Sequence, residues 1–371
     1  MLIDGRIIFR EQCRGIGRAV IGLVEQFPTQ AGDGTVKMLV QRGGVSPFDL
    51  TEAAKRVELV ETDLPVVALH RVLALRRLLE RLDAGVFFSP YHPFTPLAAP
   101  CPVVSAVHDC IWEEDPAFAG GRPRQLSFGL LTRLSLSRAK AISVPSKATA
   151  RAVHRYYPHV AGTEVISNGV TFRTAGKDTA ATVDAARGAL GLPPRYLLHV
   201  GARRPHKNQA FLLEVLARLD PTLSLVLIGD RDPRMADEVD QTIRRLGLAD
   251  RVLALQKVPD QYMAGLYEGA SAFVYPSLVE GYGIPPLEAM TAGTPVVASA
   301  IPVMAEVCGD AALLVSPFDV DGWVAAVQRV LADPALARSL TERGTEVARR
   351  ATWEPGGQAL YTLLTRLRDA R

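Results

Sequence analysis

Residues 275–298 read YPSLVEGYGIPPLEAMTAGTPVVA, and two carboxylates, Glu280 and Glu288, stand eight positions apart in that stretch. The pattern reads as strand, loop, short helix, strand. Val274 and Tyr275 end an apolar strand. Glu280, Gly281, Tyr282 and Gly283 form a loop whose glycines let backbone N–H groups come close to a ligand. Pro285 and Pro286 suit a first helical turn, where a missing N–H costs little. Gly293 suits the helix end, and Pro295–Ala298 opens the next strand. A helix N-terminus at a strand-end crevice is an anion site. Glu288, in the helix's first turns, is placed to accept from ribose hydroxyls. The plainer alternative is an ordinary βαβ unit with one solvated and one capping Glu.

Outward from this stretch, the chain of 371 residues is long enough for two domains. At 48% apolar and 22% charged residues, it has the composition of a soluble protein. It holds no apolar run long enough to span a membrane, and MLIDGRIIFREQ begins as a strand, with no signal-peptide core. Cys13, Cys101, Cys110 and Cys308 have neither metal spacing nor a disulfide framework, which fits a reduced cytosol. No metal cofactor is expected. A net charge of +3 argues against a nucleic-acid partner. Residues 1–172 carry 20 Lys and Arg against 16 Asp and Glu, so the small basic excess lies in the first half.

The first half alternates strand and helix patterns. Strands are expected at Leu2–Phe9, Val36–Gln41, Val57–Val60, Val86–Ser89, Val103–Val107, Ala141–Val144 and Glu164–Ile166. Helices are expected at Gly17–Gln26, Leu69–Leu82, Arg122–Arg138 and Lys147–Tyr156. The polar segment Thr171–Gly191 reads as a linker running into a short helix at Val183–Leu190. The alternation then restarts. Strands are expected at Tyr196–Val200, Ser224–Ile228, Val252–Leu255, Ala272–Tyr275, Pro295–Ala298 and Ala312–Val315. Helices fall at Gln209–Leu216, Arg234–Leu246, Gln261–Gly269, Pro286–Thr291, Met304–Val307 and Asp321–Ala332, with a last one at Gln358–Arg368. This is an α/β pattern of two Rossmann-like, doubly wound domains, whose ligands bind at the carboxyl ends of the strands, in a cleft.

Other residues with chemical potential cluster at strand ends. Arg203, Arg204, His206 and Lys207 concentrate positive charge where a helix begins at Gln209, which suits a diphosphate. A solvated basic turn is the alternative. His108 follows the strand Val103–Val107, and it is either a site residue or a hydrogen-bonded structural histidine. Asp109 either holds that imidazole or caps the following turn. Gly15-Ile16-Gly17-Arg18 opens a helix. A reductase reading of it needs a Thr-Gly upstream and a Tyr-x-x-x-Lys downstream, and the chain has neither. Asp230-Arg231-Asp232 is a literal D-x-D, read as a polar turn rather than a metal site. The stretch from Leu69 to Leu82 intersperses arginines with leucines at helical spacing. It either covers a sheet or lies on an anionic membrane, and Arg122–Arg138 is a second amphipathic stretch of that kind.

The E-x7-E stretch closely resembles the signature of retaining GT-B glycosyltransferases, family 4 (glycosyl transferases group 1), mannosyltransferase-like. Gly15-Ile16-Gly17-Arg18, Val107-His108-Asp109, Ser143–Ser146, Val165–Val170 and Val200–Asn208 resemble further segments of that family, in order. The resemblance implies a GT-B fold with an interdomain cleft. It implies an acceptor-side domain over residues 1–172, with residues 353–371 packing back on it, and a nucleotide-sugar domain over 173–352. It implies that Lys207 and Arg203 (or Arg204) meet the diphosphate and that Glu288 meets the ribose. Glu280 with the amides of Tyr282, Gly283 and Ile284 holds the sugar and diphosphate. His108 completes the sugar site, and Gly15 and Gly17 form a loop for diphosphate or acceptor. The implied reaction is retaining and metal-independent, with a glycan or lipid-linked acceptor, in the cytoplasm with weak peripheral membrane contact. GDP-mannose is the donor that the resemblance favours, with UDP- and dTDP-sugars as alternatives. A nucleotide-sugar epimerase, using Asp109, Glu113 and Glu114, and a non-catalytic nucleotide-sugar-binding subunit are the competing classes.

Overall fold

The structure, a computed structural model, describes residues 1–8, 15–28, 36–43, 55–65, 72–94, 96–172, 174, 179–231 and 238–370. The first part of the chain supplies strands β1 (Leu2–Asp4), β2 (Lys37–Gln41), β3 (Glu58–Thr62), β4 (Phe87–Ser89), β5 (Val103–Ala106), β6 (Ala141–Val144) and β7 (Thr163–Val165). Its helices are α1 (Ile16–Val24), α2 (Val72–Arg81), α3 (Ile111–Glu114), α4 (Pro116–Ala119), α5 (Arg122–Leu136) and α6 (Lys147–Tyr156). The second part supplies β8 (Tyr196–Val200), β9 (Ser224–Ile228), β10 (Val252–Leu255), β11 (Ala272–Tyr275), β12 (Val296–Ser299) and β13 (Ala312–Val315). Its helices are α7 (Thr179–Leu190), α8 (Gln209–Ala217), α9 (Glu238–Leu246), α10 (Asp260–Glu268), α11 (Ile284–Thr291), α12 (Pro302–Cys308), α13 (Val320–Ala332) and α14 (Pro334–Arg350). A last helix, α15, spans Glu354–Asp369.

The chain forms two units, residues 1–113, 121–169 and 352–371, and residues 114–120 and 170–351. The first holds a seven-stranded sheet in the order β3-β2-β1-β4-β5-β6-β7, and the second a six-stranded sheet in the order β10-β9-β8-β11-β12-β13. Every strand pair in both is parallel. Central strands such as Ala272–Tyr275 and Val296–Ser299 are buried along their whole length, as parallel strands covered on both faces must be.

In the first unit, α15 lays Leu360, Leu363 and Leu364 into the core with Leu23, Val24 and Phe27, and the rings of Phe27 and Tyr361 meet edge-on at 5.3 Å. Full burial of side chains of this size stabilises by about 1.5–3 kcal/mol each. In the second unit, Trp323 of α13 is fully buried and donates its indole N–H to Ser316 O at 2.9 Å.

Several boundaries differ from the sequence reading for local reasons. The first strand stops at Asp4, because Arg6 folds back on it. The Asp4 carboxylate accepts from Arg6 Nε at 2.8 Å and from Arg6 Nη2 at 2.6 Å, and Ile8 N donates to Gly5 O. Phe9, expected as the end of that strand, lies outside the described residues. So do the first residues of two expected helices, 69–71 and 234–237. α7 begins at Thr179, a turn earlier than expected, and α15 begins at Glu354 with Pro355 in its first turn, where proline is tolerated. The sequence reading assigns no helix to α14. Asp333 caps it by accepting from Ala335 N and Leu336 N at 2.9 and 3.0 Å. α2 covers the sheet through Leu75, Leu78 and Leu79.

Candidate active site

In the second unit, β11 runs out at Tyr275 and the loop 276–283 leads into α11. Gly283 caps that helix with φ 105°, a left-handed conformation that favours glycine, and a Cβ there would collide with Met304 Cε. Pro285 and Pro286 fall in the first turn of α11, where the leading N–H groups have no intrahelical acceptor. Tyr282, Gly283 and Ile284 thus stand at a helix N-terminus, where backbone donors and the helix dipole favour an anion.

A second loop meets this one. β8 ends at Val200, and the chain turns through Pro205–Lys207 into α8. Asn208 joins the two at φ 53°, and its side-chain amide donates to Pro317 O at 3.0 Å. Gly229 follows β9 so closely packed that a Cβ there would collide with Gly201 O. These contacts fix the basic loop against its neighbours.

Lys207 Nζ donates to Glu280 Oε1 at 2.6 Å and to Tyr275 Oη at 2.9 Å, and Tyr275 Oη donates to the same Glu280 oxygen at 2.9 Å. The side chains of Lys207 and Glu280 are only 14% and 9% exposed, so solvent screens the pair little. Burial disfavours the lysine's charge, but Glu280 and Tyr275 outweigh it and raise its pKa. Burial likewise pushes the Glu280 carboxyl up, and Lys207 outweighs that and brings it below its ordinary value. Both groups are charged at neutral pH.

Buried imidazoles flank the pair. His199 stacks on Tyr275 with ring centroids 5.7 Å apart. Its Nδ1 lies 3.0 Å from Val274 O, which only accepts, so Nδ1 carries the proton and Nε2 is an acceptor. His206 meets Phe118 edge-on, within the same unit. Burial brings both imidazoles down to about 4, so both are neutral at physiological pH. Among the described residues, His199 Nε2, His206 Nδ1 and Gln209 Oε1 are buried without a hydrogen-bond partner. Buried polar atoms ask for polar partners, and these three stand on consecutive segments around Lys207: the end of β8, the turn 205–207 and the first residue of α8.

The other expected site residues are distributed as follows. Glu288 lies on α11, 8% exposed, and its Oε2 accepts from Tyr267 Oη at 2.7 Å, which orients the carboxylate. Arg203 Nη1 donates to Asp240 Oδ1 at 3.0 Å, and Arg231 Nη1 lies 3.6 Å from Asp240 Oδ2. Arg203 is therefore tied to an acid, and Arg231 of the D-x-D segment shares that acid. Asp232 lies outside the described residues.

His108, Gly15 and Gly17 belong to the first unit. Gly15 precedes α1 with φ 58°, and Gly17 is buried within that helix. His108 Nε2 lies 2.8 Å from Pro90 O, so it carries the proton, and burial lowers the pKa of the ring. The ring lines a pocket with Val20, Phe88, Ser143, Pro145 and Asn168, at the carboxyl end of that sheet. Asp109 Oδ1 accepts from Ile111 N at 3.1 Å and so caps the following turn. Glu113 accepts from Tyr157 Oη, which commits one member of the acidic cluster to a structural bond.

Sequence reasoning misses Tyr275, His199, Gln209 and Tyr267 as members of the site. A histidine in the apolar strand Tyr196–Val200 is the one visible signal, because a buried imidazole needs polar partners.

Comparison with known proteins follows the same division. A family profile described as Glycosyltransferase Family 4 matches residues 14–173, and one described as Glycosyl transferases group 1 matches residues 183–347. The O-antigen chain mannosyltransferase RfbU of Salmonella typhimurium is 40% identical over 136 residues, 36% of this chain and 38% of the relative. The O-antigen chain mannosyltransferase B of Escherichia coli is 37% identical over 163 residues, 43% of this chain and 42% of the relative. The matches thus span less than half the length of either curated relative. Sucrose-phosphate synthase from Thermosynechococcus elongatus aligns over 100% of both chains with a TM-score of 0.78 at 21% identity. HepE of Anabaena in complex with UDP-glucose aligns over 99% of both chains with a TM-score of 0.76 at 18% identity. These two likenesses speak to fold. With one profile on each half, in order, and a parallel sheet in each unit, the chain belongs to the group 1, family 4 glycosyltransferases and has their two-domain GT-B fold.

Proposed function

We propose that the protein transfers a sugar from a nucleotide-sugar donor to an acceptor hydroxyl with retention of anomeric configuration. The observation that carries this reading is the buried Lys207–Glu280–Tyr275 cluster beside the N-terminus of α11. A departing nucleoside diphosphate gains negative charge. Lys207 and the first amides of α11 are donors fixed in place before that charge develops. Glu280 accepts from a sugar hydroxyl, and Glu288, oriented by Tyr267, accepts from the ribose. His108 contributes to sugar recognition through its neutral imidazole. In a front-face reaction the departing phosphate oxygen takes the acceptor's proton, so the scheme needs no protein nucleophile. Retaining glycosidases differ in using two closely placed carboxylates.

Mannose from GDP-mannose is the proposed donor, and a polysaccharide or lipid-linked oligosaccharide the proposed acceptor, with the reaction in the cytoplasm. The mannosyltransferase relatives support the sugar. The test is calorimetric binding of GDP, UDP and dTDP, with nucleotide release measured over a panel of nucleotide sugars. GDP binding with slow GDP-mannose hydrolysis is the expected result. UDP or dTDP binding would replace the donor, and no nucleotide binding would sink glycosyl transfer. Activity unchanged by a chelator is expected of a metal-independent enzyme, and the anomer of the product, read by NMR, tests retention.

A further inference from the structure

The two glutamates of the 275–298 stretch are both held by tyrosine hydroxyls. Tyr275 Oη donates to Glu280 Oε1 at 2.9 Å, and Tyr267 Oη donates to Glu288 Oε2 at 2.7 Å. The tyrosines come from different elements, Tyr275 from the end of β11 and Tyr267 from α10. Phe273 stands between them. Its ring is stacked on that of Tyr275, with centroids 5.9 Å apart at an interplanar angle of 24°. It lies 5.6 Å from the Tyr267 ring, at 36°. Phe273 and Tyr275 are two apart on one strand, so their side chains share a face of the sheet.

Further rings close the column at both ends. His199 stacks on Tyr275 at 5.7 Å and 25°, and Phe172 meets Tyr267 edge-on at 5.1 Å. His199, Tyr275, Phe273 and Tyr267 are all fully buried. In a close-packed interior a ring at these spacings cannot tilt without moving its neighbours. A tyrosine hydroxyl lies at the far tip of its ring, where a small tilt produces the largest displacement. The stack therefore sets where each hydroxyl sits, and with it the carboxylate that the hydroxyl holds. The sheet itself does not demand a ring at position 273. The register partners of Phe273 are the aliphatic Leu198 on β8 and Val296 on β12. A flat side chain between two tyrosines gives contact on both of its faces.

We propose that Phe273 is a positioning residue, which acts through the rings of Tyr267 and Tyr275 to hold Glu288 and Glu280 at the separation that a nucleotide-sugar donor requires. The inference rests on the reading above, in which Glu280 serves the sugar and Glu288 the ribose. In such a donor the diphosphate joins these two groups covalently. Its ends must be met at one spacing, and a shift of either carboxylate misplaces the reacting carbon.

The test is a pair of double-variant cycles in the full chain, with Phe273→Leu made in wild type, in Tyr267→Phe and in Tyr275→Phe. The probes are whichever of GDP, UDP and dTDP binds wild type, and its sugar nucleotide. Calorimetric affinity for the diphosphate reads the Glu288 end, and nucleotide release at saturating donor reads the Glu280 end. In wild type, Phe273→Leu should weaken affinity about threefold to tenfold, as a hydrogen bond to the carboxylate loosens. It should lower turnover roughly tenfold or more, given that a misplacement of about 1 Å costs on the order of 100-fold. In Tyr267→Phe the affinity loss, and in Tyr275→Phe the turnover loss, should shrink to within about twofold, because the hydroxyl through which Phe273 acts is gone. Losses of equal size in those backgrounds show a plain packing role and overturn the proposal. Unchanged affinity and turnover in Phe273→Leu, or a loss at one end alone, overturn it too. Melting curves establish that each variant is folded, and Phe273→Met, whose flexible side chain fills irregular gaps, takes the place of Phe273→Leu should that variant not fold. A wild type that releases no nucleotide from any sugar nucleotide sinks the glycosyl-transfer reading and this inference with it, whereas turnover with additive losses sinks this inference alone.

Discussion

Replacing Lys207 by Met removes the cation and keeps most of the stem. Glu280 then remains as a carboxylate with a side chain 9% exposed, held by the Tyr275 hydroxyl at 2.9 Å. Removing one partner of a buried ion pair costs about 3–5 kcal/mol, mostly because the other charge is left uncompensated. With side-chain exposures of 14% and 9%, little of that figure is lost to solvent screening. Changing Glu280 to Gln in the same background removes the orphaned charge. The double variant should therefore regain much of the stability and come within about 1–2 kcal/mol of wild type. Turnover should not return with it. Loss of the donor aimed at the leaving diphosphate should lower turnover on the order of 100-fold in single and double variants alike.

Urea denaturation of the four proteins gives the stability cycle, and nucleotide release from the sugar nucleotide gives the turnover. Single effects that add to within about 0.5 kcal/mol would show that the two charges do not interact, which contradicts the geometry. Unchanged turnover in Lys207→Met would remove Lys207 from the mechanism. The pair also has a pH window. Glu280 has a folded pKa below its ordinary 4.5, so its contribution is present above that pH and lost as pH falls through the folded value. Lys207 has a folded pKa above its ordinary 10.5, so its contribution is present below that pH and lost as pH rises through the folded value.

The buried histidines predict an acid transition. His199 and His206 are brought from 6.5 to about 4 and His92 to about 3, so their contribution is full above 6.5 and is lost as pH falls through the folded values. Each shift of this size corresponds to about 3 kcal/mol or somewhat more, and the melting temperature should fall steeply between pH 6.5 and 4 in calorimetry. A flat profile would show that these rings open to water on protonation. Tyr267→Phe deletes the donor to Glu288 Oε2 and should weaken nucleotide binding about threefold to tenfold with little effect on the fold. Unaltered calorimetric affinity would separate Glu288 from the nucleotide.

The two-sheet architecture is legible because it rests on repetition. Strands such as Ala141–Val144 and Ala272–Tyr275 are apolar runs bounded by polar loops, and burial on both faces keeps them so. α14 is hidden because Pro334 looks like a stop, whereas it stands in a first turn capped by Asp333. The orientation of α5 is hidden for the opposite reason. Periodicity shows an apolar face without showing which way it points, and in α5 Thr132 and Ser135 are buried along with Leu136 while Leu126 and Leu130 are exposed. In the site, the E-x7-E spacing identifies the loop and helix, but the pairing of Glu280 with Lys207 joins positions 73 residues apart. No local pattern encodes that contact. Tyr275 reads as the end of a strand, and only the crossing of the two loops shows that its hydroxyl links both charges.

That link changes what each charge is expected to do. If Lys207 serves the diphosphate and Glu280 the sugar, a nucleoside diphosphate without its sugar competes with Glu280 for the same ammonium, 2.6 Å away. Glu280→Gln weakens the competitor and keeps a side chain of similar size, while the incoming diphosphate supplies the missing counter-charge. The variant should bind the nucleoside diphosphate at least as tightly as wild type, with a gain of up to about tenfold, because charge-assisted hydrogen bonds are roughly twice as strong as neutral ones. Transfer from the intact donor should nevertheless fall on the order of 100-fold, since the sugar loses an anionic acceptor. Calorimetry with the diphosphate and kinetics with the nucleotide sugar separate the two effects. Abolished diphosphate binding in Glu280→Gln would place that carboxylate with the nucleotide instead, and the division of labour between Lys207 and Glu280 would have to be redrawn.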